Sequence, residues 1–87
     1  MAAEDTATVP VVVRYFGPLV DVTGIGRETV EFTLPASVAE IGRQLHIKWP
    51  GLAAHSYRLA IDETLCNDGQ TIEHAREIAL LPAFSGG

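Results

Sequence analysis

The residues best placed to do chemistry stand at the end of the chain, Leu80-Leu81-Pro82-Ala83-Phe84-Ser85-Gly86-Gly87. A glycine carboxylate is a poor acyl donor. Once ATP adenylates it, however, the mixed anhydride can be opened by sulfur or amine nucleophiles, so that the main chain itself is the reagent. Two residues without a β-carbon let such a backbone enter a narrow tunnel in conformations closed to other residues. Extended at ~3.4 Å per residue, Ala83 to Gly87 reach about 17 Å, enough to enter a partner's active site while the domain docks outside. ATP is then consumed by an activating partner, and no cofactor is expected to stay bound to the chain.

Other candidates for chemistry are weaker. His46, His55 and His74 are widely spaced and lack a cysteine or carboxylate at ligand spacing, so no metal site is expected. The single cysteine, Cys66, has no second thiol and reads as a buried or half-buried small residue without a catalytic role. Asp62-Glu63 resembles an acid and base pair on paper, but neighbours on an extended chain point to opposite faces, and a solvated turn explains them. Gly24-Ile25-Gly26 lacks the third glycine and the strand-to-helix setting of a phosphate-binding loop.

With 87 residues, 47% of them hydrophobic, the chain supports one domain with one core and no disulfide to reinforce it. Six Lys and Arg residues are scattered in a chain of formal charge −5, which argues against nucleic acid as a partner. An acidic carrier is instead steered toward a basic surface on a protein partner. No apolar run approaches the ~20 residues needed to span a bilayer, and residues 1–5 have neither a basic start nor a following apolar stretch. A soluble, cytoplasmic protein is expected.

The elements that must position the ending follow from periodicity. Residues 1–8 read as a loose extension. Val11 to Phe16 are apolar at nearly every position, which predicts a central strand buried on both faces. Residues 17–26 carry three glycines and a proline and read as a loop, part of which must pack down because it holds Leu19, Val20 and Val22. Residues 28–34 alternate, with Val30, Phe32 and Leu34 on one face, as in a one-sided strand at a sheet edge.

Pro35 ends that strand, and Ser37-Val38-Ala39-Glu40 fits a capping box. A helix follows, with Val38, Ile41 and Leu45 as its apolar stripe, terminated at Pro50-Gly51. Gly42 within it costs roughly 1 kcal/mol against alanine, which predicts close packing of helix on sheet there. Residues 57–61, 63–66 and 77–81 read as further strands, with a turn at Asn67-Asp68-Gly69. The first and last strands are the most apolar, so they are expected side by side at the centre of a mixed sheet crossed by one helix.

This α+β order resembles the β-grasp, ubiquitin-like architecture. Over residues 9–87 the chain is similar to the MoaD-type small subunits of molybdopterin synthase, within the ThiS/MoaD sulfur carriers. The resemblance rests on Val13-Arg14-Tyr15-Phe16-Gly17-Pro18-Leu19, on Ile61-Asp62-Glu63-Thr64-Leu65 with aspartate where asparagine is usual, and on Ile78-Ala79-Leu80-Leu81-Pro82-Ala83-Phe84-Ser85-Gly86-Gly87. It departs at Glu73-His74-Ala75-Arg76, where the family commonly has a Gly-Asp turn before the last strand.

The resemblance implies an extension over residues 1–8, a β-grasp domain over 9–82 and a tail over 83–87. It implies that Gly87 is adenylated by a MoeB-type, E1-like enzyme using ATP and converted to a thiocarboxylate, with Pro82, Ala83, Phe84, Ser85 and Gly86 bound as its approach. Sulfur is then delivered to cyclic pyranopterin monophosphate inside a MoaE-type large subunit, which supplies the catalytic side chains, in a heterotetramer. Phe16, Leu65 and Leu81 match the positions of an apolar docking surface. Thiazole-forming and tRNA-thiolating carriers share the fold and the diglycine, and a ubiquitin-like modifier joined to lysines shares the activation chemistry. A plain interaction module with passive glycines is the remaining alternative.

Overall fold

The structure is a computed structural model that describes residues 7–83. Strand β1 spans Ala7–Tyr15 and helix α1 spans Pro18–Thr23, followed by β2 (Arg27–Leu34), β3 (Ala36–Ser37) and α2 (Val38–Lys48). A 3-10 turn at Pro50–Ala54 leads to β4 (Tyr57–Ile61), β5 (Thr64–Leu65), β6 (Thr71–Ile72) and β7 (Glu77–Pro82). The main sheet has the order β2-β1-β7-β4-β5, and β3 pairs with β6 in a small second sheet. β1 and β7 are parallel neighbours at the centre, as their apolar sequences predict, while the other pairs of the main sheet are antiparallel. This is the β-grasp arrangement.

Helix α2 forms where the apolar spacing places it. The Ser37 hydroxyl accepts the Glu40 N–H at 3.1 Å, which satisfies one of the amides that a helix start leaves unpaired. The reciprocal half of the capping box is not made, because the Glu40 carboxylate turns to Arg43 at 3.4 Å. Val38, Ile41 and Leu45 are buried and lie across the sheet on Val11, Val13, Phe32, Leu59, Ile78 and Leu80, which together make one core. β2 keeps the alternation read from sequence, with Phe32 and Leu34 buried between exposed neighbours, and it is an edge strand.

Five expectations need correction. β1 begins at Ala7, within the expected extension, rather than at Val11, because β2 runs to Leu34 and offers Ala7 and Thr8 partners at Leu34 and Thr33. Residues 1–6 lie outside the described residues. The loop after β1 contains α1, started by Pro18, whose fixed φ suits a first helical position, and it buries Leu19 completely. β1 and β7 are central but covered on one face only: Val11, Val13, Ile78 and Leu80 are buried, while Val12, Ala79 and Leu81 are half-buried and Arg14 is exposed. Gly42 is not a point of close packing, since a β-carbon built there meets nothing within 4 Å. Finally, the β3–β6 pair was not anticipated; two-residue strands are too short to show a period.

Candidate functional site

The sheet face that α2 leaves uncovered carries the candidate site. In a strand, alternate residues share a face, and the register sets which of them meet. Arg14 of β1 lies opposite Ala79 of β7, Ala79 opposite Ala60 of β4, and Ala60 opposite Leu65 of β5, so these four form a row across the sheet. In the next row Leu81 lies opposite Arg58. Leu65 is 50% exposed, Phe16 and Leu81 are half-buried, and the small side chains of Ala60 and Ala79 keep the floor between them shallow. The three residues expected to dock a partner therefore belong to one open apolar face.

Polar groups frame this face. The Arg14 guanidinium lies 5.2 Å from the centre of the Phe16 ring and 3.2 Å from the Glu77 carboxylate. Phe16 itself is outside β1, at the turn where Gly17 adopts φ 58° and ψ −137°. Only glycine takes such a conformation readily, and a β-carbon there would stand 3.1 Å from Cγ of Pro82. The first strand's exit turn is thus packed on the last strand's final residue.

The tail root follows directly. β7 ends at Pro82, and the Ala83 N–H donates to the Ser56 carbonyl at 3.0 Å, extending the β4–β7 ladder by one step. Pro82, which has no N–H, sits at a position opposite Tyr57 where β4 asks for none. Phe84, Ser85, Gly86 and Gly87, the rest of the expected approach and its reacting terminus, lie outside the described residues.

Asp62 and Glu63 form the turn that the sequence suggests, with a further role. Both have positive φ, 50° and 73°, as the two central residues of the β4–β5 hairpin. The Asp62 carboxylate accepts the N–H groups of Arg76 and Glu77 at 2.9 and 3.0 Å, which pins the start of β7. The histidines do not gather: His46 Nε2 bonds the Tyr57 hydroxyl at 2.6 Å, and no cluster of potential metal ligands exists among the described residues. Cys66 is buried, its Sγ donating to the Thr64 carbonyl at 3.2 Å.

Sequence reasoning missed Glu28. It falls on the inward-facing side of β2, in register with Val30, Phe32 and Leu34, at the edge of the core. There its Oε2 accepts the Tyr15 hydroxyl at 2.6 Å and the Trp49 indole N–H at 2.8 Å, and Lys48 Nζ meets Oε1 at 3.1 Å. Burial opposes its charge, but the hydrogen bonds from Tyr15, Trp49 and Lys48 together outweigh it and hold the carboxyl below its usual range. Burial, and next the bond to Glu28, push the Tyr15 phenol well above its ordinary value. The signal was present: an inward Tyr and a Trp at a helix end both need a polar partner.

Among the described residues no helix is long and apolar enough to cross a membrane. A β-grasp whose mixed sheet carries one helix across one face and leaves the other open defines a ubiquitin-like protein. The chain belongs to the ThiS family, whose model matches residues 13–87. It is 36% identical over 83 residues to a molybdopterin synthase sulfur carrier subunit of Caenorhabditis briggsae, covering 91% of this chain and 99% of that one. A protein of the same description from Arabidopsis thaliana is 26% identical over 87 residues, covering 98% of this chain and 91% of its own. Among solved structures, the putative molybdopterin converting factor subunit 1 of Pyrococcus furiosus superposes with a TM-score of 0.75 at 14% identity, covering 87% of this chain and 99% of that chain.

Proposed function

We propose that this chain is the sulfur-carrier subunit of a molybdopterin synthase and that Gly87 is its reacting residue. The observation that carries the reading is the path of β7: the strand contributes Leu81 to the open apolar face and then runs, through Pro82 and Ala83, into the diglycine tail. A partner seated on Phe16, Leu65 and Leu81 therefore receives the tail from the margin of its own contact. The relatives' shared description as sulfur carrier subunits supports the same reading.

In the proposed sequence, the Gly87 carboxylate attacks the α-phosphorus of ATP and releases pyrophosphate, giving an acyl adenylate on a MoeB-type enzyme. A sulfur nucleophile then displaces AMP to leave a thiocarboxylate. Carried into a MoaE-type large subunit, the thiocarboxylate sulfur attacks cyclic pyranopterin monophosphate, water hydrolyses the resulting thioester to leave the sulfur on the pterin and return the Gly87 carboxylate, and two such deliveries supply the dithiolene. Side-chain catalysis belongs to the large subunit, and two copies of each subunit form the assembly. The carrier's own contribution is to present one carboxylate at the end of a reach of about 17 Å.

The first test is an intact mass of protein purified from its native host, seeking one oxygen replaced by sulfur at the C-terminal carboxyl. Deleting Gly87 should abolish transfer while circular dichroism stays unchanged, and retained transfer would overturn the proposal. Lysine-linked adducts in place of a thiocarboxylate would move the reading to a protein modifier.

A further inference from the structure

Helix α2 and the outer edge of β4 bound a groove of about 680 Å³ that has Ala83, the tail root, at its margin. The ladder of β4 fixes what the groove offers. The Ser56 carbonyl accepts Ala83 N–H at 3.0 Å, and Asp62 N–H donates to the Glu77 carbonyl at 2.9 Å. In an antiparallel pair these bonds alternate, so the main-chain groups of Ser56, Arg58 and Ala60 face β7, while those of Tyr57, Leu59 and Ile61 face the other way. On that other side β5 covers only Ala60 and Ile61, and the Cys66 N–H reaches the Leu59 carbonyl at 3.0 Å. Among the described residues no strand runs beside Tyr57, whose N–H and C=O open on the groove. Such an edge is a template for another chain.

Two independent features shape the space beside it. Gly42 lines the groove with nothing within 4 Å of the position its β-carbon would take. A glycine inside a helix costs about 1 kcal/mol, and no close approach in the fold accounts for it. Room for a second main chain does.

Charge is the other feature. Arg43 of α2 and Arg58 of β4 line the groove against one carboxylate, Asp68, in a chain of formal charge −5. Among the described residues Arg58 reaches only the neutral Asn67 side-chain oxygen, at 3.5 Å. The Arg43–Glu40 pair is solvent-exposed and correspondingly weak.

We propose that this groove is a strand-addition site. It takes an extended segment of a protein partner, which pairs its main chain with Tyr57 and sets an acidic side chain against Arg43 and Arg58. Main-chain pairing supplies the affinity and the arginines the selectivity, as in other additions to a sheet edge. The groove shares Arg58 and Ala83 with the margin of the carrier face, but Phe16, Leu65 and Leu81 do not line it.

The experiment titrates the full 15N-labelled chain with acetyl-Val-Glu-Val-Glu-Val-amide and, separately, with its lysine counterpart, following amide shifts and hydrogen exchange to millimolar peptide. The acidic peptide should move the Tyr57 and Gly42 amides and slow exchange at Tyr57, with the lysine peptide about tenfold weaker or more. Gly42→Leu fills the groove with a better helix former and should remove binding while the melting temperature holds or rises. Arg58→Glu should weaken the acidic peptide and favour the basic one. Unchanged Tyr57 exchange, equal binding of both peptides, binding that survives Gly42→Leu, or shifts centred on Leu65 and Leu81 would each overturn the proposal. None of these readouts depends on sulfur transfer, so this proposal and the carrier reading fail separately.

Discussion

Gly17 shows how a single residue can hold the margin of the open face together. Its φ of 58° and the 3.1 Å between a would-be β-carbon and Pro82 leave an alanine both strained and crowded. Gly17→Ala should cost about 1–3 kcal/mol in urea unfolding, and weaken partner binding further because it displaces Phe16 and the tail root together. Leu65 is the opposite case. Half exposed and outside the core, Leu65→Glu should leave the melting temperature within a few degrees while costing at least about 2 kcal/mol of affinity for a large subunit, measured calorimetrically. The diglycine lies outside the described residues, and by family resemblance the sequence carried Phe16, Leu65 and Leu81, which lie on one face. It did not carry Glu28 or the clamp of Asp62 on β7. A carboxylate looks the same in a sequence whether its partners are water or the N–H groups of residues fourteen places away.

At the scale of elements, α2 rests on β1 and β2 by two kinds of contact. Leu45 is fully buried, and Leu45→Ala should cost about 2–5 kcal/mol, depending on how far the sheet collapses onto the void. The Glu28 cluster adds a polar tie among β1, β2 and the end of α2. Because its carboxyl is held below the ordinary value, Glu28 stabilises the fold fully above the unfolded-state pKa, about 4.3, and loses that contribution as pH falls through the lower folded value. Glu28→Gln should therefore be less stable than the parent at neutral pH by roughly 1–3 kcal/mol. The gap should stay constant down to about pH 4.5 and close below it, as followed by thermal melts across pH. β2 and α2 were legible because each shows its own period over seven or more residues. α1, β3 and β6 were not, because a helix of six residues or a strand of two completes too few repeats to separate pattern from chance.

The whole molecule combines a net charge of −5 with one bare apolar face framed by Arg14, Glu77 and Arg58. If encounter with a basic partner is electrostatically steered, raising ionic strength shortens the screening length from about 30 Å at 0.01 M to about 8 Å at 0.15 M. Stopped-flow association with a large subunit should accordingly slow several-fold over that range, with dissociation nearly unchanged. The central adjacency of the first and last strands was legible from their apolar runs alone. Their one-sided cover was not, because an apolar run reads the same whether one face or both are covered. That adjacency also orders events at synthesis. β1 is made first, yet one of its two edges stays unpaired until β7 arrives, and contacts so distant in sequence form late. A chain cut short before residue 77 would leave β1 and β4 with open edges, the kind of surface that aggregates or is cleared. Folding thus acts as proofreading: completion of the sheet certifies that translation has reached the last strand.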